Sequence, residues 1–311
     1  MKRKLFVILG FVALTAIVIT ACHRNIKTAS DEKKEFTVPM ITLNNHIKMP
    51  QIGFGTWELT GATATEAVKE AIKHGYRLID TAQGYGNESD VGRGIRESSV
   101  SREDIFITTK INTNVMREGT VRESLDKSLE DLGVDYIDLV LIHWPVEGKV
   151  QETWQIMEEY VRIGKIKSIG LSNFNPHHID ELLAYATVKP VINQIEMHPY
   201  MTQYDVAEFT KSKNIQPEAW GPLGQGRNHV IEDETIVQIA QKHQKSPAQI
   251  ILRWHIQRGN VVIPRSKTPN HIYENIHIFD FELSAEEMKT IDSLNRNTRV
   301  NSKNDPDSFP W

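Results

Sequence analysis

Four residues have types and spacing that could move a proton: Asp80, Tyr85, Lys110 and His143. The stretch Leu78-Ile79-Asp80-Thr81-Ala82-Gln83-Gly84-Tyr85-Gly86-Asn87-Glu88 ends an apolar run on a carboxylate, then presents a phenol across a short polar loop. A phenol, with an ordinary pKa of about 10, becomes a usable proton donor near neutrality once a neighbouring cation favours its anion. Lys110 supplies such a cation and is expected to lower the Tyr85 pKa. Asp80 is the anion that keeps the lysine charged in a partly buried place. A neutral His143 could donate to a substrate oxygen and fix its angle to Tyr85. The set is suited to protonating an oxygen. A Schiff-base role for Lys110 would need a neutral amine, which Asp80 opposes.

Taken singly, each residue has an ordinary structural role open to it. What joins them is the order of the elements. After a hairpin around 41–48, strands are expected over 52–56, 78–80, 105–110, 137–143, 168–171, 191–196, 216–220 and 261–263. Helical runs follow over 63–74, 87–98 (with Asn87 as N-cap), 120–132, 151–163, 176–186, 205–213, 232–243, 247–258, 269–275 and 284–294. Continuous apolar strands with crossover helices, repeated eight times, predict an α/β fold: a (β/α)8 TIM barrel with an N-terminal β-hairpin and a C-terminal tail. No Gly-x-Gly-x-x-Gly turn follows Phe54, which argues against a doubly wound sheet.

Chemistry in such barrels sits at the carboxyl ends of the strands. Those ends carry Asp80, Lys110, His143, Ser172 with Asn173, Gln194, Trp220, and Pro264 with Arg265. Ser172, Asn173 and Gln194 suit a carboxamide, and Trp220 offers a flat face for an aromatic ring. Arg265-Ser266-Lys267 just before a helix start is a natural phosphate site. A nicotinamide dinucleotide across the mouth would use all of these.

The 311 residues carry a formal charge of −4 and no basic stripe, so nucleic acid is not an expected partner. The single cysteine, Cys22, excludes an intrachain disulfide, and no His-Glu-x-x-His spacing occurs, so no metal is expected. Met1-Lys2-Arg3-Lys4, an uncharged run from Leu5 to Ala21, and Ile19-Thr20-Ala21-Cys22 resemble a bacterial lipoprotein signal with lipidation at Cys22. The alternative is an uncleaved anchor on the cytoplasmic face. The expected organisation is 1–22 signal or anchor, 23–36 polar tether and 37–311 barrel, with membrane association through the N-terminal segment alone.

From Val38 onward the residues resemble the aldo-keto reductases. The resemblance rests on Gly53-Phe54-Gly55-Thr56-Trp57, Asp80-Thr81-Ala82-x-x-Tyr85-x-Asn87-Glu88, Leu141-Ile142-His143-Trp144-Pro145 and Gly164-Lys165-Ile166. Gly170-Leu171-Ser172-Asn173-Phe174, Asn193-Gln194-Ile195-Glu196, Pro222-Leu223-Gly224 and Ile263-Pro264 continue it. It implies reduction of small aldehydes and ketones with NADPH. Tyr85 would be the proton donor, Lys110 and Asp80 its tuning partners, and His143 the group that orients substrate. It also implies cofactor contacts at Thr56, Trp57, Ser172, Asn173, Gln194, Trp220, Gly221, Pro222, Leu223, Arg265, Ser266, His271, Glu274 and Asn275. The short tail resembles bacterial reductases of diketogluconic acid and glyoxals.

Two departures bear on the cofactor. Arg265 stands where the family usually has lysine, and His271 where it usually has arginine. An ordinary histidine is mostly uncharged near pH 7, so the preference for NADPH should be weakened and NADH should also serve. Trp57 and Trp144 are expected to wall an aromatic substrate pocket, with Phe309 and Trp311 completing it. The other function open to this fold is an NADPH-binding sensor or accessory protein with slow turnover. A monomer is expected.

Overall fold

The computed structural model describes residues 37–309. The expected signal with Cys22, the tether, and Trp311 lie outside the described residues. Among those described, no helix is long and apolar enough to cross a membrane.

The chain opens on an antiparallel hairpin, β1 (Met40–Thr42) with β2 (Lys48–Pro50). Its turn is pinned to the strand starts it covers: Asn44 Nδ2 donates to Pro190 O at 2.8 Å and Asn45 Nδ2 to Ser168 Oγ at 2.9 Å. Leu43 and Met49 pack into the barrel interior from this side. The hairpin therefore plugs the amino end of the barrel and leaves the carboxyl end open.

Eight parallel strands follow in sheet order: β3 (Phe54–Gly55), β4 (Leu78–Asp80), β5 (Phe106–Ile111), β6 (Ile137–Ile142), β7 (Ile166–Ser172), β8 (Ile192–Glu196), β9 (Gln216–Trp220) and β10 (Val261–Val262). The first and last strands meet where Ile52 bridges Val262: Gly53 N donates to Val262 O at 2.8 Å and Val262 N to Gln51 O at 3.2 Å. This is the (β/α)8 barrel. The helices that follow the eight strands in turn are α1 (Gly61–Lys73), α2 (Glu88–Arg96), α4 (Val121–Leu132), α5 (Val150–Arg162), α6 (Pro176–Leu183), α7 (Tyr204–Ser212), α9 (Pro247–Gln257) and α10 (Pro269–Ile276). Among the described residues three helices stand outside this repeat: α3 (Thr113–Glu118), after β5, α8 (Glu234–His243), between β9 and α9, and α11 (Ala285–Asp292) at the end.

The alternation of side chains along the strands makes two cores. Phe54, Ile79, Ile107, Val140, Ile142, Ile169, Leu171, Ile195, Ala219 and Val262 face outward against the helices, while Leu78, Phe106, Leu139, Leu141, Ile192 and Val261 fill the interior. Interior space is tight at Gly170, where a Cβ would stand 2.7 Å from Leu141 Cδ2 and 2.9 Å from Ile192 O. Beyond the interior apolar layer, the same inward positions carry Asp80, Lys110, Ser172, Gln194 and Trp220. One residue of register decides that these polar groups gather at the open end instead of under the helices.

Several boundaries differ from expectation. The first barrel strand is two residues long, although its flanks still bond both neighbours: Gly53 N donates to Val262 O at 2.8 Å and Thr56 N to Asp80 O at 3.0 Å. The fifth barrel strand is longer than expected at both ends, reaching Ser172. Helix α3 was not expected, although Asn112, whose side chain accepts from Asn114 N, and Gly119, at φ +74°, mark its ends. Asn87 does precede α2, but its side chain does not cap the helix. It is fully buried, with Nδ2 donating to Thr56 O at 2.9 Å and Leu59 O at 2.7 Å, and Oδ1 accepting from Thr81 Oγ1 at 2.6 Å. Asn87 thus ties the first two strand–loop junctions together.

Candidate active site

Lys110, near the end of β5, is fully buried and is held by three oxygens. Its Nζ donates to Asp80 Oδ1 at 2.6 Å, Thr81 O at 2.9 Å and Tyr85 Oη at 3.3 Å. Asp80 closes β4, and its second oxygen accepts from Gln194 Nε2 at 2.9 Å. Tyr85 ends a single 3₁₀ turn (Gln83–Tyr85) whose Gln83 side chain reaches Ser128 Oγ and Asn112 N, which fixes the phenol over the site. His143 follows β6 immediately, and its ring meets that of Tyr85 edge-on, 5.7 Å between centroids at 73°. The structure therefore brings Asp80, Tyr85, Lys110 and His143 together.

The electrostatics correct one expectation. Burial pushes the Tyr85 phenol above its ordinary value, and the opposing pull of the Lys110 cation does not reverse it. Tyr85 is therefore protonated near neutrality and not a partly ionised phenol. Burial would also drive the Lys110 ammonium down, but Asp80 and Tyr85 together hold it above the usual lysine value. Burial pushes the Asp80 carboxyl up, against Lys110 and Gln194. For His143, burial and then the charge of Lys110 lower the pKa to about 3, so the ring is neutral and able to donate one hydrogen bond.

The residues expected to hold a cofactor fall in two groups on the same open end. Ser172, Asn173, Gln194 and Trp220 form one linked bracket. Ser172 Oγ donates to Gln194 O at 3.0 Å, Asn173 Nδ2 to His143 O at 3.0 Å, and Trp220 Nε1 to Asn173 Oδ1 at 2.8 Å. Asn173 sits at φ +63°, a left-handed position that asparagine tolerates better than most residues. Thr56 is buried, with Oγ1 donating to Asp80 O at 2.9 Å, and Gly221, Pro222 and Leu223 continue the chain from Trp220. The second group surrounds the start of α10. Ser266 Oγ accepts from Thr268 N, His271 lies exposed in the first turn, and Glu274 and Asn275 lie in the last.

Sequence reasoning missed the residue that joins these groups to the adjacent loop. Glu58 accepts from Arg265 at 2.9 Å and from Arg227 at 3.0 Å, and the Arg227 guanidinium lies 5.0 Å from the Trp57 ring centroid. Adjacency to Trp57 was the only hint, since acidic residues in loops are common. Trp144, next to His143 in the chain, stacks on Phe309, 3.8 Å between centroids at 18°. A cavity of about 510 Å³ opens beside this wall, lined by residues that include Pro145, Phe174, His178 and Asp307, but by none of the four at the centre.

His177, His178 and Asp307 come close enough together to suggest a metal, but His178 Nδ1 accepts from Asn175 N. That leaves the proton of the neutral ring on Nε2, the nitrogen facing Asp307, and makes the trio a helix cap with an attached carboxylate.

A buried lysine–aspartate pair thus lies beside a protonated phenol and a neutral imidazole, with the Trp220 indole at the same end of the barrel. The chain matches the Aldo/keto reductase family over residues 51–296. It is 49% identical over 261 residues to glyoxal reductase of Bacillus subtilis (strain 168), covering 84% of this chain and 94% of that protein. It is 43% identical over 273 residues to methylglyoxal reductase of Escherichia coli (strain K12), covering 87% and 98%. The crystal structure of a Bombyx mori aldo-keto reductase in complex with NADP superposes with a TM-score of 0.82 at 37% identity, covering 88% and 98%. With the match spanning most of the barrel, the chain belongs to the aldo/keto reductase family of oxidoreductases that act on carbonyl groups.

Proposed function

We propose that this protein reduces small aldehydes and ketones to alcohols with NADPH, with Tyr85 as the proton donor. The observation that carries the reading is the Lys110 ammonium, 2.6 Å from Asp80 and 3.3 Å from the Tyr85 hydroxyl, beside a neutral His143. The rim fits a nicotinamide dinucleotide by its donor set: the half-buried indole of Trp220, held at its edge by Asn173, and Arg265 with Ser266 at the start of α10. The chemistry supplied there by a bound cofactor is hydride transfer to the carbonyl carbon. Tyr85 Oη gives its proton to the carbonyl oxygen as charge develops on it. Lys110 stabilises the phenolate that remains, and Asp80 keeps Lys110 charged through the step. His143, as a neutral donor, fixes the carbonyl oxygen toward Tyr85. The glyoxal and methylglyoxal reductases among the relatives support small dicarbonyls as the substrate class.

The test follows NADPH absorbance with methylglyoxal and with an aromatic aldehyde. Saturable oxidation is the expected result. Binding of NADPH with no turnover on any carbonyl of the panel overturns it in favour of a sensor. Arg265 would hold the ribose phosphate by charge-assisted hydrogen bonds, so Arg265→Ala should weaken NADPH about 10- to 100-fold and leave NADH nearly unchanged. Glu58 competes for the same guanidinium at 2.9 Å, and position 271 is histidine and not the arginine usual in the family. The preference for NADPH over NADH should therefore be modest, and a ratio of dissociation constants above about a thousandfold refutes that part.

The N-terminal segment completes the proposal: residues 1–22 act as an address, and Cys22 carries the lipid. Its support is the sequence alone, a basic start followed by an uncharged apolar run ending at Cys22. Cys22→Ala should abolish metabolic labelling by a fatty-acid analogue and move the protein to the soluble fraction. Unchanged membrane retention without label supports the uncleaved anchor, which keeps the barrel on the side where NADPH is made.

A further inference from the structure

The barrel interior holds an ionisable group that this mechanism leaves unused. Glu218 is the central residue of β9, opposite Gln194 of β8 and Val261 of β10. Strand alternation points it inward with Trp220, while Ala219 between them faces the helices. It is fully buried, and neither carboxyl oxygen has a hydrogen-bond partner among the described residues. The Gln194 amide beside it is committed to Asp80 Oδ2 at 2.9 Å and closes no hydrogen bond to Glu218.

A carboxylate without a partner in such a place is strongly disfavoured, whereas a neutral carboxyl is tolerable. We propose that Glu218 is a positioning residue that sets the acidity of Tyr85. As a neutral acid it leaves Asp80 the sole counter-charge to Lys110, and when ionised it adds a second negative charge that makes Tyr85 a weaker donor. The inference rests on Tyr85 being the donor. The charged groups Glu218 meets are Asp80 of β4 and Lys110 of β5. On β8, Gln194 is neutral, and Glu196, two residues nearer the mouth, is within 3.1 Å of His198. On β10, Val261 brings no charge. Burial, then the Asp80 charge, push the Glu218 carboxyl up to about 8, and an ionised Glu218 in turn raises Tyr85.

The test compares the wild type with Glu218→Gln, which fixes the neutral form. In carbonyl reduction, the ratio of kcat in the variant to kcat in the wild type should rise about fivefold between roughly pH 6.5 and pH 9, because only the wild type loses donor strength. A second readout needs no turnover. An acid whose folded pKa is raised stabilises the fold below its unfolded pKa, and this stabilisation is lost as pH rises through the folded value. The Tm of the wild type should therefore fall relative to the variant from roughly pH 5 to pH 8.5.

Parallel Tm curves and a constant kcat ratio overturn the proposal. A kcat lowered by the same factor at every pH assigns Glu218 a packing role and also overturns it. Should the variant not fold, the infrared carboxyl band of the wild type decides: it should bleach between roughly pH 7 and pH 9, and a band unchanged over that range refutes the inference. A wild type that binds NADPH but reduces no carbonyl defeats the functional reading while leaving the Tm comparison intact, so the two failures are separable.

Discussion

Tyr85→Phe is expected to lower kcat for carbonyl reduction by about a thousandfold, or about 4 kcal/mol of barrier, while leaving cofactor affinity within about twofold. The substitution removes one oxygen and keeps the ring. The edge-on contact with His143 survives, and so does the 5.0 Å approach of Lys110 Nζ to the ring centroid. What disappears is the O–H that Lys110 holds at 3.3 Å. His143 does not replace it as an acid, because burial and the nearby ammonium hold it neutral with a pKa of about 3. Since burial raises the Tyr85 pKa above its ordinary value, the phenol stays protonated through the neutral range, and its own ionisation should not limit reduction there. The measurement is steady-state NADPH oxidation beside a titration of tryptophan fluorescence, with Trp220 as reporter. A variant that keeps more than a tenth of wild-type kcat would place the proton source elsewhere. Its Tm should scarcely change, because the half-buried hydroxyl has few partners to lose.

Much of this site was legible before any coordinates, and the reason is geometric. In a parallel barrel the carboxyl ends of the strands face one opening, so finding the strands places Asp80, Lys110, His143, Ser172, Gln194 and Trp220 on one rim. Apolar runs bounded by Gly133, Gly164 or an N-cap were enough to find them. What escaped depends on distances that no pattern carries. The sign of the Tyr85 shift turns on whether burial or the Lys110 charge is larger, and that balance exists only in the folded interior. Asn87 has the identity of a cap and the position of one, yet three buried neighbours compete for its side chain and win. Glu218 lies two residues short of the strand end where chemistry was sought. Its neighbour Pro217 gave no sign that the side chain would be left inside without a partner. Glu58 and Arg227 are 169 residues apart, and only the folded rim makes them a pair.

Lys110→Met tests the centre of the site from the side of stability. The ammonium is fully buried and bonded to three oxygens, and methionine has similar bulk with no charge. Removing one partner of a buried pair leaves the other uncompensated, a loss of about 3–5 kcal/mol. Asp80 then keeps Gln194 Nε2 but has no cation, and the quickest relief is to bind a proton. Burial already pushes that carboxyl upward, and without Lys110 nothing but the amide opposes the rise. The sign of the pH dependence follows. An acid whose folded pKa is raised favours the folded state below its unfolded value of about 3.9, and that advantage drains away as pH climbs toward the folded value. The variant should therefore lie closest to the wild type in Tm at mildly acid pH and fall furthest behind it near pH 8. Adding Asp80→Asn removes the orphaned charge, so the double variant should recover most of the lost stability and flatten the pH dependence. Its activity should not return, because Tyr85 would still lack the cation that stabilises its phenolate. Thermal melts of both variants from about pH 5 to pH 8, read beside kcat, separate the two effects. A double variant as unstable as the single one would mean that packing around the lysine stem, and not the ion pair, holds this part of the barrel. A single variant retaining wild-type turnover would remove Lys110 from the chemistry altogether.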